Sequence, residues 1–261
     1  MHSLIRSDSG AEDYRDPEVS PEGAATTTQP LPAERRQAHE ELVAEWNHRL
    51  EGASAEDIIA WAHTHVPGPI AVTMSMQDTV LAELTEGALD NAELVFLDTG
   101  FHFPETLETR DKVAERYRLP LRNITPVYSR AEQDRVYGPR LYARNPTACC
   151  RMRKVEPLAR MLDPFEAWIT GVRRADSALR ANTPVLEVDR TGRLKINPLV
   201  DWTDDDVDNY IADHDLIINP LTRQGYPSIG CATCTLPVAE GEDPRAGRWA
   251  GTSKTECGLH T

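Results

Sequence analysis

The strongest constraint on this chain is the order of its short apolar runs, each followed by a loop and then a helical stretch. Residues 69–73 lead through 74–77 into DTVLAEL, and residues 94–97 lead through 98–100 into PETLETRDKVAERY. A third run, 121–127, precedes another helical stretch, and a fourth, 167–170, ends at Gly171. None of these runs alternates polar with apolar residues, so the strands they predict are covered on both faces, and the intervening stretches are long enough for crossover helices. The fold class that follows is α/β, a parallel twisted sheet flanked by helices. Ligands of such sheets bind at the carboxyl ends of the strands. Residues 74–78, 98–100 and 171–174 all fall there.

Upstream of the first strand, Leu42, Val43, Trp46 and Leu50 recur at helical spacing, and Ser54 is placed to cap a second helix through IIAWAHTH. Residues 1–38 hold four prolines, one aromatic residue and seven acidic against four basic side chains. Such a segment buries too little surface to offset its ordering entropy, and it reads as a disordered tail, with the folded α/β domain spanning 39–250. The sequence shows no internal repeat. With 28 basic and 42 acidic residues in 261, the net charge of −14 argues against general nucleic-acid affinity. No run approaches the roughly 18 apolar residues of a membrane helix, so a soluble, cytoplasmic protein is expected.

Five cysteines are too few, and odd in number, for a disulfide framework in a chain of this size. Cys149 and Cys150 are adjacent, and Cys231 and Cys234 form a CxxC pair after 80 intervening residues. Four thiolates in two pairs fit one tetrahedral zinc site or one iron–sulfur cluster, with buried inert thiols as the remaining reading. Cys257 stands apart near the end of the sequence, where a thiol beside a cationic partner can ionise and attack a sulfur or carbonyl centre.

Basic residues gather around the pairs. Residues 151–180 contain seven Arg and Lys against four Asp and Glu, a local +3 within a chain of −14, and Arg245 and Arg248 follow the CxxC pair. That pattern marks a focused anion site. The loop after the first strand, with Ser75 and Asp78 at the start of a helix, is placed to hold a phosphate, although it lacks the glycines of a Walker A sequence.

On these residues the chain resembles the assimilatory sulfonucleotide reductases, specifically the adenylyl-sulfate (APS) reductases that carry an iron–sulfur cluster. The resemblance rests on LDTGFHFPETLE (97–108), ACCRMRKVEPL (148–158), WITGVRRADSALRA (168–181), NPLVDWTDDDVDNYI (197–211), GYPSIGCATC (225–234), EDPRAGRW (242–249) and ECGLH (256–260). It implies an adenine nucleotide alpha hydrolase-like fold whose first loop is a modified PP-loop. It implies a 4Fe-4S cluster on Cys149, Cys150, Cys231 and Cys234, and a mobile segment, 251–261, that carries Cys257 as nucleophile with Gly258 as its hinge. Lys154 and His260 join Cys257 as catalytic residues. Ser75, Asp78, Asp98, Thr99, Gly100, Gly171, Arg173, Arg174, Arg245 and Arg248 are the substrate-binding set. The PP-loop pattern places a Ser four residues before its Asp; Met74 occupies that position here, and the adjacent Ser75 is taken instead.

The activity implied is reduction of APS to sulfite and AMP, with thioredoxin as electron donor and an S-sulfonate on Cys257 as intermediate, in sulfate assimilation and cysteine biosynthesis. A homo-oligomer is left open. Two other readings share part of this signal: a phosphoadenylyl-sulfate (PAPS) reductase, which usually lacks the paired cysteines, and a zinc-stabilised nucleotide-binding protein without redox chemistry.

Overall fold

The computed structural model describes residues 29–252 and 254–259. Residues 1–28, the larger part of the expected tail, and His260 lie outside the described residues. Order begins earlier than residue 39. Helix α1 runs Ala33–Trp46, started by Pro32, and the residues before it are tied to the body of the protein. The Gln29 amide donates to Asp163 (3.1 Å) and the Leu31 amide to the Thr191 carbonyl (2.8 Å), while Arg36 reaches the Arg190 carbonyl. Polar composition made 29–38 look unfoldable, but two of its backbone amides and its two arginines are bound by partners more than a hundred residues away.

Helix α2 (Ala55–His65) follows, with the Ser54 hydroxyl accepting from the Asp57 amide at 3.0 Å, the cap read from sequence. Then come β1 (Ile70–Met74), α3 (Val80–Thr85), β2 (Ala92–Leu97), α4 (Pro104–Arg116) and β3 (Leu121–Ile124). Three short helices, α5 (Arg130–Tyr137), α6 (Leu141–Arg144) and α7 (Pro146–Cys150), lead into a π-helical stretch, Arg151–Val155, that continues as α8 (Glu156–Leu162). After β4 (Ala167–Ile169) come β5 (Leu186–Val188), β6 (Leu194–Ile196) and α9 (Asp204–Asp213).

The six strands are ordered β3-β2-β1-β4-β6-β5. All neighbours pair in parallel except β5, which closes the edge antiparallel to β6. Neither β5 nor β6 is visible in the sequence pattern, because three residues are too few to show a period. Along the central strands, Ile70, Val72, Leu94, Phe96, Ala167 and Ile169 enter a core shared with α2, α3 and α9. Ala71, Val95 and Trp168 face the other side, against Leu158, Met161, Leu162 and Phe165. Both faces are therefore apolar, which is why the strands read as continuous runs.

The chain leaves β1 toward β2 on one side and returns with β4 on the other, so the crevice between the carboxyl ends of β1 and β4 is the topological switch point of the sheet.

Candidate functional site

Three segments converge beyond those strand ends. In the loop after β1, Met76 is buried with φ of 61°, an uncommon conformation for a residue with a Cβ. Surrounding bonds hold it: the Asn219 amide donates to the Gln77 carbonyl (2.9 Å), Asn219 Nδ2 to the Met76 carbonyl (3.1 Å), and the Ile229 amide to Gln77 Oε1 (3.0 Å). Ser75 is exposed at the lip of this loop. Asp78 lies deeper, and burial raises its carboxyl pKa against the pull of the Val80 amide and the Arg173 charge. Gly171 leads out of β4 on the facing side, where an added Cβ would meet Leu81 and Leu199 at 3.5 and 4.0 Å.

The cysteines come together from two distant segments. Asn145 caps α7 by accepting from the Ala148 amide (2.9 Å), and Cys149 and Cys150 end that helix, both buried. Cys231 and Cys234 bracket a single helical turn in which the Cys234 amide donates to the Cys231 carbonyl (2.9 Å). All four line one pocket, together with Lys154 and Arg248. Phe101, Tyr142 and Trp249 supply its aromatic wall.

Among the described residues, no three or more His, Cys, Asp or Glu side chains are arranged to hold a metal ion. The thiols line the pocket, and burial dominates their electrostatics. Burial, then repulsion from Cys150 and Cys231, pushes the Cys149 thiol up to about 12. Burial likewise raises Cys150 and Cys234. Thr99 Oγ1 lies 3.2 Å from Cys231 Sγ.

Asp98 and Gly100 shape the loop that presents Thr99. The Gly100 amide donates to Asp98 Oδ1 (2.9 Å), and Gly100 has φ of 72° with the Arg153 guanidinium 3.4 Å from where a Cβ would sit, so glycine is required. Through Thr99 this loop reaches the cysteine pocket.

Cations surround the thiols. Burial disfavours the Lys154 ammonium, but attraction to Cys231, Cys257 and Cys150 outweighs it and its pKa is raised. Arg248 crosses Trp249 at 4.7 Å and donates to Ser228 Oγ (3.0 Å) and the Ile229 carbonyl. Burial lowers its pKa, and Arg245 adds to that by repulsion. Gly247 lets the Arg245–Trp249 segment lie on the CxxC segment, since a Cβ there would stand 2.0 Å from the Leu236 carbonyl oxygen.

Cys257 is half-buried, within electrostatic range of Lys154, Arg248 and Cys150. Arg245 pairs with Glu256 at 3.1 Å.

Arg173 and Arg174 are both engaged by acids. Arg173 is taken up by Asp176 (2.9 Å) and Asp204 (2.7 Å), though its charge reaches Asp78. Arg174 is held by Glu51, Asp201 and the Thr183 carbonyl, none of which borders the cysteine pocket. A local excess of basic residues is visible in sequence; which acids neutralise them is not.

Arg153 and Arg180, counted in the sequence only as members of the basic cluster, take specific places. Arg153 is 3% exposed, donates to Gln133 Oε1 (2.7 Å) and the Thr99 carbonyl (2.9 Å), and covers the Phe101 ring. The signal was available: Arg153 and Lys154 each follow a cysteine by four residues, the spacing that shares a helical face.

Comparison with known proteins matches residues 69–237 to the phosphoadenosine phosphosulfate reductase domain. The chain is 47% identical over 238 residues to the adenosine 5'-phosphosulfate reductase of Mycobacterium tuberculosis, covering 84% of this chain and 94% of that one. It is 50% identical over 212 residues to the protein of the same name from Streptomyces coelicolor, covering 81% and 90%. Among solved structures, the phosphoadenylyl-sulfate (PAPS) reductase of Candida auris, crystallised as a phosphate complex, superposes with a TM-score of 0.66 at 30% identity, covering 76% of this chain and 97% of that one.

Proposed function

The chain belongs to the phosphoadenosine phosphosulfate reductase family, and from that premise we propose that it reduces adenosine 5'-phosphosulfate to sulfite and AMP with Cys257 as the nucleophile and a dithiol protein of the thioredoxin type as donor. The observation that carries the reading is the pocket where both cysteine pairs, Lys154 and Arg248 meet, with Cys257 in electrostatic range of it.

The Cys257 thiolate attacks the sulfur of the substrate's sulfate group. The bond from that sulfur to the bridging oxygen breaks, AMP leaves with the electron pair, and an S-sulfonate forms on Cys257. A donor thiolate then attacks Cys257 Sγ, sulfite departs with the S–S electron pair, and the donor's second thiol resolves the mixed disulfide, returning Cys257 as thiolate. The donor dithiol supplies both electrons. What the protein must add is positive charge where negative charge gathers on the bridging oxygen and sulfate. Lys154, Arg245 and Arg248 are the cations for that task, and His260 is the further candidate. Ser75 and Asp78 at β1, and Gly171 and Arg173 at β4, border the crevice that takes the nucleotide.

The donor chemistry of the pocket fits a 4Fe-4S cluster on Cys149, Cys150, Cys231 and Cys234. Four thiols are buried or half-buried around one space, and burial with mutual repulsion holds Cys149 protonated until a cation arrives to bind the thiolates. Cys149, Cys150, Cys231 and Cys234, which line one pocket, would hold the cluster between them. When bound, the cluster would supply a fixed centre of charge in the pocket. Adjacent Lys154 balances the negative charge of the ligand set and can face the substrate sulfate at the same time.

The structural likeness to a PAPS reductase favours one competing substrate, the 3'-phosphorylated nucleotide. Incubating the anaerobically purified protein with each nucleotide, without donor, tests both. APS should add about 80 Da, one SO3 group, to the peptide containing Cys257, and Cys257→Ser should abolish it while leaving iron content and nucleotide binding unchanged. Transfer from PAPS alone, or label on another cysteine, refutes the reading.

A further inference from the structure

Glu256 immediately precedes Cys257, and among the described residues of the carboxy-terminal segment its side chain is held by two arginines. Arg180 grips its carboxylate with a two-pronged contact, Nε to Oε1 at 3.1 Å and Nη2 to Oε2 at 3.0 Å. Arg245 approaches Oε1 at 3.1 Å and donates to the Thr255 carbonyl. All three side chains are 14–16% exposed, so these pairs sit out of bulk water, where paired geometry is worth far more than on an open surface.

The grip is itself anchored. Arg180 Nη1 donates to Asp176 Oδ2 (2.8 Å), and Asp176 binds Arg173, so the chain of charges runs from the tail to the loop after β4 at the switch point of the sheet. On the other side of Cys257, Leu259 packs against the Leu158, Met161 and Trp168 cluster, and Gly258 has φ of 82°, a turn that only glycine makes freely. Cys257 is thus suspended between a polar clamp and an apolar anchor. Packing of one leucine is non-directional; the fork contact to Arg180 fixes both distance and orientation.

Resting on the reading of Cys257 as nucleophile, we infer that Glu256 is its positioning residue: the carboxylate, clamped by Arg180 and Arg245, docks the tail so that the neighbouring thiol stands against the cysteine pocket and its cations. No group on Glu256 touches the reacting atoms. Neutralising it should leave the nucleotide seat intact while Cys257 spends less time in place.

The test uses the full-length, cluster-loaded protein and its Glu256→Gln variant. Amide hydrogen exchange of the peptide spanning 254–259 should accelerate at least tenfold in the variant, and Arg180→Gln should match it, with the double variant no faster than the quicker single one. Single-turnover transfer of SO3 from APS to Cys257 should slow at least tenfold, while APS affinity at equilibrium stays within twofold. Unchanged exchange overturns the clamp. Faster exchange with unchanged transfer overturns the positioning role. Tighter APS binding with transfer retained makes Glu256 a competitor of the substrate anion and also overturns it. Should wild-type protein take no SO3 from APS at all, the functional reading fails, and the exchange comparison decides the clamp by itself.

Discussion

Replacing Arg153 by Met removes a buried cation while keeping most of the side chain's length, and the structure sets the size of the effect. Two charge-assisted hydrogen bonds disappear, to Gln133 Oε1 at 2.7 Å and to the Thr99 carbonyl at 2.9 Å. Each is worth about 1.5–3 kcal/mol, and both acceptors are left in a region that water does not reach. The cation–π contact over Phe101, 4.9 Å from the ring centroid, adds about 1 kcal/mol. Against this, the wild-type guanidinium is expensive to bury: its pKa is lowered by desolvation and its Nη2 has no hydrogen-bond partner. Relief of that penalty returns several kcal/mol, so the net destabilisation is about 2–4 kcal/mol. Urea unfolding of the metal-free protein, followed by tryptophan fluorescence, measures it. Because Arg153 holds the Thr99 carbonyl and Thr99 touches Cys231, the same variant should release iron faster to a chelator. A loss below about 1 kcal/mol would mean that the paired bonds merely offset the burial, and iron release at the wild-type rate would break the proposed connection from Arg153 through Thr99 to Cys231.

Two further outcomes follow from the pocket. Changing any one of Cys149, Cys150, Cys231 or Cys234 to Ser should remove the visible chromophore near 400 nm and the bound iron, because a hydroxyl is a much poorer iron ligand than a thiolate; iron analysis that finds four irons per chain in any variant removes that cysteine from the ligand set. Neutralising Lys154 or Arg245 with Gln should weaken APS binding by about 1.5–3 kcal/mol per lost contact, ten- to a hundredfold by calorimetry, and unchanged affinity in both sinks the anion site.

Much of the scaffold was legible because its signals are local. Continuous apolar runs in β1, β2 and β4 state that both faces of the sheet are covered, and Ser54 marks the start of α2 from its own side chain. The edge strands β5 and β6 escaped, being too short for periodicity and defined only by partners across the sheet. The binding of residues 29–38 to the body of the protein escaped for a related reason: a polar, proline-containing segment looks unfoldable until Asp163, Arg190 and Thr191 are seen to bind it.

The same division runs through the site. Sequence alone determined which residues have the chemistry: two thiol pairs, a fifth thiol near the chain end, and more cations than their acidic surroundings require. Only the tertiary structure decided which of them meet. It brought pairs separated by 80 residues to one pocket, put Thr99 on Cys231, gave Arg174 to Glu51 and Asp201, and clamped Glu256 with Arg180 and Arg245. The reason is physical. A residue's type fixes what it can donate, accept or ligate, but charge and hydrogen-bond energies depend on separation and burial, and those are set by how β1 and β4 diverge and by what folds over their ends.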